Sequence, residues 1–455
     1  MENTSTLHFL GGAGSVTGAN FMLESGDTKI LIDCGLFQGC DYCESSNYEP
    51  FAFNPKEVDV LLVTHAHIDH IGRIPRLVKE GFKGKIISTE ATKGLAEHLL
   101  LDSMELLAHD AQVKGRPQLY DENNVREALS LWDTRFYGDP FELPGGFSAE
   151  FLNAGHILGS SMIQISREGR SIVFTGDLGN DYSLLVGPLV TPKSPNYLLT
   201  ESVYGDKKNT DNEVRLEKLE RTIEATLKRG GTLLIPAFST ERTQDLIYEI
   251  RSLMVEKKVP STPVYVDSPL ASKITETFLR YPKYFKEEMK ERIEGGEDIF
   301  SFDELRFVSS AEESRRLLDN PTPKIIIAGS GMSHGGRVLA HETRLLPDEK
   351  NTVLIVGYQS AGSLGRQLIE GMKSVSIQRE KIKVRAHIET NFGYSAHRDG
   401  DGLLEFAHRS ASSLEKIFVA MGEPVASAFL TQRIRDYIGL DASAPEVGQK
   451  VTLHL

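Results

Sequence analysis

The chain has 455 residues, 40% of them hydrophobic, and a net charge of −13, enough to bury a large core and to divide into two lobes. No apolar run approaches the length of a membrane span, and the start Met1-Glu2-Asn3-Thr4-Ser5 lacks the basic and apolar regions of a signal peptide, so a cytoplasmic protein without a membrane association is expected. The acidic balance argues against a broad basic surface for nucleic acid, although a few cations in one cleft can still draw a polyanion, because local fields govern approach.

In chain order, the first strand-like run of interest is Lys29-Ile30-Leu31-Ile32, which delivers Asp33 into the turn Cys34-Gly35. The three cysteines, Cys34, Cys40 and Cys43, share this neighbourhood. Cys40 and Cys43 have redox or zinc-like spacing, but no second pair completes a zinc site, so free thiols are expected in a reducing compartment. Next, Val60-Leu61-Leu62-Val63-Thr64 reads as a buried strand. It ends at His65-Ala66-His67-Ile68-Asp69-His70, three imidazoles and a carboxylate within six residues. Neutral imidazole and carboxylate are the ligands zinc and related ions take, and each would need its own partner in a plain core. This loop is expected to bind metal. His156 lies in the Gly-flanked turn Ala154–Ser160, and Ser171–Thr175 leads as a strand into Gly176-Asp177. Alone, each would pass for an ordinary turn residue; beside the histidine cluster, both become candidate ligands.

Glu201 follows the apolar run at Tyr197–Leu199. From about Gly205 to Arg366, strand-like runs (Thr232–Pro236, Pro263–Val266, Lys324–Ala328, Thr352–Val356) alternate with helical stretches, one starting at Arg242. Such alternation predicts a parallel α/β sheet, and the charged stretch Tyr281–Glu297 a solvated helical face. Two Gly-rich turns, Gly329-Ser330-Gly331 and Gly357–Gly362, precede Arg337 and Arg366. Backbone N–H groups plus a guanidinium suit phosphate, and His334 between the turns is a further candidate contact. The chain ends with Tyr394-Ser395-Ala396-His397 and Met421-Gly422-Glu423-Pro424. His8, His98, His109, His341, His387, His408 and His454 are read as ordinary structural histidines.

This ordered series resembles the β-CASP nucleases, a branch of the metallo-β-lactamase fold, from about Leu7 to the last residues. The resemblance implies a metallo-β-lactamase αββα sandwich (residues 1–204, completed by 367–455) with an inserted parallel-sheet α/β β-CASP domain (205–366). It also implies roles. His65, His67 and His156 hold a first ion, Asp69 and His70 a second, and Asp177 bridges both; Asp33 orients the histidine loop. Zinc is expected at one or two positions, with manganese as the alternative. His397 is the expected general acid, held protonated by Glu201, and Ser330, Gly331, Arg337 and Arg366 the expected substrate contacts. The implied activity is metal-dependent hydrolysis of single-stranded RNA over a short stretch of strand, by one chain or a homodimer.

One position departs from the RNA-cleaving members: Met421 stands where they carry a histidine that completes the second metal's ligands. A thioether is a poor donor to zinc or manganese, so the second site is expected to rely on Asp69, His70, Asp177 and water. Artemis-type DNA nucleases also lack that histidine. A DNA nuclease and a catalytically weak RNA- or partner-binding subunit are therefore the alternatives.

Overall fold

Aliphatic and β-branched runs fold as short buried strands, among them Thr28–Ile32, Val60–Leu62, Arg170–Phe174 and Tyr197–Thr200. The computed structural model describes residues 4–39, 41–208, 214–360 and 362–455. It divides into two units, Met1–Lys208 with Ala396–Leu455, and Asn209–Ser395.

The first unit holds two seven-stranded sheets. In one, the order is 450–454, 4–11, 20–25, 28–32, 60–62, 85–88, 132–134; in the other, 441–443, 416–419, 197–200, 170–174, 161–167, 148–153, 141–142. Phe9, Phe21, Ile32 and Leu62 from the first meet Phe151, Phe174, Leu199 and Phe418 from the second in one apolar core, as packed sheets do. On the outside, helices Gly400–Arg409 and Pro424–Ile438 cover the second sheet through Leu403, Phe406, Leu430 and Ile434. Helix Glu90–Lys114 packs beside strand 132–134. The layers are therefore αββα.

Strands 28–32 and 60–62 run parallel, Ile32 opposite Leu62. So do 170–174, 197–200 and 416–419, with Phe174 opposite Leu199 and Thr200 opposite Val419. Parallel strands bring their C-terminal ends to one edge, where ligands bind in α/β sheets. Asp33, the histidine run, Asp177, Glu201 and Met421 all lie just past such ends.

The second unit contains a six-stranded parallel sheet in the order 305–307, 264–267, 324–328, 232–236, 352–355, 387–390. The four strands read from sequence are present; 305–307 and 387–390 are additional. Helix Arg242–Val255 starts where expected, and the charged stretch holds helix Glu287–Glu294 with Met289 as its buried residue. The unit continues past the expected boundary at Arg366, because strand His387–Thr390 pairs with Thr352–Ile355 and ties the intervening residues to this sheet.

Among the described residues no helix is long and apolar enough to cross a membrane. Cys34 is free and buried, which pushes its thiol up to about 12. Cys43 is disulfide-bonded, a correction to the free-thiol expectation. Cys40 lies outside the described residues, as do Met1-Glu2-Asn3.

Candidate metal centre

The turn after strand 60–62 is held against the turn after strand 28–32 by backbone hydrogen bonds as well as by the Asp33 side chain. Cys34 N donates to His70 O (2.8 Å), Leu36 N to Ile68 O (3.0 Å), and Ala19 N to Asp69 O (2.9 Å). Contact is so close that a Cβ on Gly35 would lie 1.5 Å from Asp69 O; only glycine fits there. A second close approach joins the His156 and Asp177 turns, where a Cβ on Gly179 would stand 1.8 Å from Gly155 O. Ser160 Oγ accepts from His156 N (3.0 Å) and Ile157 N (3.2 Å), which fixes that turn.

Four donor atoms converge as a result: His65 Nε2, His67 Nδ1, His156 Nε2 and Asp177 Oδ2. His67 Nδ1 lies 3.0 Å from His65 Nε2 and 3.2 Å from His156 Nε2, and Asp177 Oδ2 lies 3.4 Å from both other ring nitrogens. A tetrahedral zinc site with bonds of ~2.0–2.1 Å has ligand-to-ligand edges of ~3.3–3.4 Å. Burial holds His67 and His156 well below the ordinary imidazole pKa, and His65 below it. Burial opposes ionisation of Asp177, but the adjoining His70 and His65 outweigh it and keep its carboxyl well below the usual range. Three neutral imidazoles and one carboxylate are what a divalent ion requires. The residues fit zinc.

Asp177 also turns Oδ1 towards His70 Nε2, 3.3 Å away, and Asp69 Oδ2 lies 4.0 Å from the same nitrogen. His70 Nε2 and Asp177 Oδ1 are buried with no hydrogen-bond partner, the kind of deficit an ion relieves. Burial lowers the His70 pKa, yet Asp177 and Asp33 outweigh it and raise it well above ordinary. A potential that retains a proton there also favours a divalent cation. Asp33 Oδ2 sits 2.7 Å from His70 Nδ1, orienting Nε2 towards Asp177 as outer partners of metal-binding histidines do. Thr64, not singled out from sequence, donates its hydroxyl to Asp33 Oδ2 (2.8 Å) and faces His65 Nδ1 (3.0 Å). That leaves His65 Nε2 to carry the lone pair.

His397 reaches this centre from far along the chain. Asn180 N donates to Ala396 O and Arg398 N to Leu178 O, both at 2.9 Å, bridging Gly179 to His397. Arg398, a second residue missed from sequence, is buried and gives Asp181 two hydrogen bonds of 2.7 and 2.8 Å. Glu201 is fully buried, accepts from Leu178 N (2.6 Å), and lies 3.2 Å from His397 Nδ1. Burial opposes the charged ring, but Glu201 overcomes it and lifts His397 to about 9. The His397 side chain is 21% exposed, and His67 and Asp69 are half-buried, so the centre opens on this side.

Met421 has φ +45° and donates its N–H to Gly12 O at 2.6 Å. Its side chain is in the apolar core, with Sδ so near Gly12 that a Cβ there would meet it at 2.4 Å. It also lines, with Asp33, Thr64, His70 and Glu201, a small cavity of about 10 Å³, roughly one water. Histidine is among the residues tolerated at positive φ. Met421→His is therefore expected to place a nitrogen donor beside His70, raising metal content towards two ions per chain and lowering the metal concentration needed for activity. Elemental analysis after gel filtration measures it, and an unchanged content would show that position 421 does not serve the second site.

In the second unit, Ser330 Oγ accepts from His334 N (3.1 Å) and Gly335 N (3.4 Å), and Gly331 O accepts from Gln359 Nε2 (2.9 Å), so the two Gly-rich turns meet. Arg337 does not stand free for a phosphate. It pairs with fully buried Asp267 at 2.6 Å and donates to Val308 O and Ser309 O, because a buried carboxylate needs a cation or donors. Arg366 pairs with exposed Glu370 at 2.7 Å.

Residues 16–221 match the metallo-beta-lactamase superfamily, 243–368 the Beta-Casp domain, and 381–445 the Zn-dependent metallo-hydrolase RNA specificity domain. The chain is 36% identical over 397 residues to Ribonuclease TTHA0252 of Thermus thermophilus, covering 87% of this chain and 89% of that protein. It is 31% identical over 427 residues to the transcription termination factor FttA of Methanocaldococcus jannaschii, covering 91% of this chain and 66% of that one. A solved protein of unknown function from Enterococcus faecalis shares the fold, with a TM-score of 0.56 at 13% identity over 99% of this chain and 100% of its own. Fold, site and kinship agree: the chain belongs to the β-CASP family of metallo-β-lactamase-fold hydrolases.

Proposed function

We propose that this protein is a metal-dependent ribonuclease that hydrolyses phosphodiester bonds of single-stranded RNA in a cytoplasmic setting. The observation that carries the reading is the protonated His397–Glu201 pair standing beside a converged set of metal ligands. The relative named as a ribonuclease, of which this chain covers 89%, supports RNA as the substrate. Zinc is the proposed ion on its donor set, with His65, His67, His156 and Asp177 holding one ion and Asp69, His70 and Asp177 a second; manganese is the alternative. When bound, divalent ions supply Lewis acidity at a phosphodiester and make water a stronger acid.

The chain's own residues do the rest. Asp177 presents one oxygen to each ligand group and fixes their spacing. His397, partly exposed to solvent, gives its proton to the departing ribose oxygen, a step that needs an acid charged at neutral pH. Glu201 keeps it charged and aimed. Ser330, Gly331 and Arg366 belong to this reading as substrate contacts, whereas Arg337 acts by positioning its loop through Asp267.

End-labelled RNA and DNA oligonucleotides of one sequence, incubated with Zn²⁺ or Mn²⁺, test the proposal. RNA is expected to be cut in preference to DNA. Preferential cutting of DNA would move the protein to the DNA nucleases, and hydrolysis of lactams or thioesters without action on either nucleic acid would remove it from the nucleases. Early internal fragments would mark an endonuclease, immediate mononucleotides an exonuclease.

A further inference from the structure

The strongest local departure from the chain's acidic character lies at residues 373–385. Lys373, Arg379, Lys381, Lys383 and Arg385 are set there against one carboxylate, Glu380, a local charge of +4 in a chain of −13. These residues build an antiparallel hairpin, Ser374–Ile377 with Glu380–Lys383. Val375 lies opposite Ile382, and Ser374 and Ser376 opposite Lys383 and Lys381. Val375, Ile377 and Ile382 are buried in the apolar cluster containing Leu346 and Leu368. Period-two alternation then sends the serines and lysines to the other face. The result is a charged face on an anchored platform.

That face is concave. Lys373, Ser374, Lys381, Lys383, Val384 and Arg385 line a wide-open depression of about 540 Å³ with no carboxylate in its wall. Lys373, Lys381, Lys383 and Arg385 are exposed, and none of the four forms an ion pair among the described residues. By contrast, nearby cations in the sequence are matched, Arg366 by Glu370 and Lys416 by Asp441. One or two outward lysines protect a sheet edge from pairing; four cations and a hydroxyl around one concavity exceed that need. Unmatched like charges repel one another, so their grouping favours an anionic ligand.

We infer that this hairpin is a binding surface for the sugar-phosphate backbone of single-stranded RNA, independent of base sequence. Lysine, arginine and serine are the side chains that take phosphate oxygens. The concavity has no aromatic wall residue, so bases have nothing to stack on. The choice of RNA among polyanions rests on the ribonuclease reading above.

The test compares the full-length, metal-loaded protein with Lys381→Gln/Lys383→Gln/Arg385→Gln, whose exposed positions should leave its melting temperature unchanged. Cleavage of a long RNA oligonucleotide is followed as a function of salt, beside turnover of bis(4-nitrophenyl) phosphate, which reports the metal centre without a polyanion. Expected are a KM for RNA raised ~10-fold or more and a log–log salt slope shallower by about 2, at ~0.7 per lost phosphate contact. Homopolymer and mixed sequences should be affected alike, and turnover of the small diester unchanged. A Lys381→Arg/Lys383→Arg variant should keep the wild-type slope. Unchanged KM and slope in the triple variant overturn the inference while leaving the ribonuclease reading intact. If neither protein cuts RNA, anisotropy of labelled RNA still decides: weaker binding by the triple variant upholds the surface and sinks only the reading. Loss of polyglutamate binding with RNA binding intact would assign the hairpin to an acidic protein instead.

Discussion

Asp177→Ala is expected to abolish RNA cleavage, by on the order of 10³-fold or more, and to strip metal from both positions. The magnitude follows from losing several kcal/mol of Lewis-acid stabilisation, with each 1.36 kcal/mol worth tenfold in rate. The breadth follows from geometry, since Asp177 alone offers one oxygen to the His65–His67–His156 group and the other to His70. His67→Ala should separate the two positions: its Nδ1 stands with the first group, 3.0 Å from His65 Nε2, so metal content falls by one ion while activity falls almost as far. Asp33→Asn should be milder, ~10–100-fold, because Asp33 acts through His70 and Thr64 as an outer partner. Elemental analysis paired with initial rates checks the series. Full metal content in Asp177→Ala with activity lost would mean Asp177 works on substrate rather than on the ions.

The candidate ligands His65, His67 and Asp177 stood out in the sequence because they follow short buried runs, and parallel strands deliver their C-terminal ends to one edge, whereas His156 follows the half-buried, antiparallel strand Ser148–Asn153. His65 after Val60–Thr64 and Asp177 after Ser171–Thr175 carry that signal without any tertiary knowledge. Of the residues that hold them, Asp33 and Glu201 were expected, but Thr64 and Arg398 were not legible. Thr64 reads as the end of an apolar strand, and its hydroxyl matters only because Asp33 lies beside it in space. Arg398 looks like any arginine after a turn until Asp181, more than 200 residues earlier, takes its two donors. Arg337 misled for the same reason, since a Gly-rich turn before an arginine fits a phosphate and a buried carboxylate equally well, and Asp267 decides between them. The Beta-Casp match ends at 368, close to Arg366, yet the compact unit runs on to Ser395 through a strand with a weak local pattern: His387-Ile388-Glu389-Thr390 alternates exposed and half-buried residues at a sheet edge, with little apolar content to announce it.

His397→Ala should lower kcat by ~10²–10⁴-fold, the usual worth of a positioned acid, with metal content intact. Retained metal distinguishes it from the ligand variants: His397 stands outside the His65–His67–His156–Asp177 group and converges instead with Glu201 and Asp177, tied there by Glu201 and the Gly179 bridge; metal lost in His397→Ala would make it a ligand rather than an acid. The pH profile gives the role a sign. An acid must be charged to donate, so activity is lost as pH rises through the His397 pKa. Glu201 lifts that pKa to about 9 against the opposing effect of burial, and cations held at Asp177 cancel part of the negative charge the ring also feels. The basic limb of kcat should therefore lie at or below about 9. Glu201→Gln removes the carboxylate while keeping an oxygen for Leu178 N, so the limb should move to lower pH. Its kcat loss should be smallest in acid and grow towards neutrality. In His397→Ala the limb should vanish altogether. A limb that survives unchanged in His397→Ala would place the essential proton on another group, and a pH-independent loss in Glu201→Gln would reduce Glu201 to a strut for the Leu178 turn.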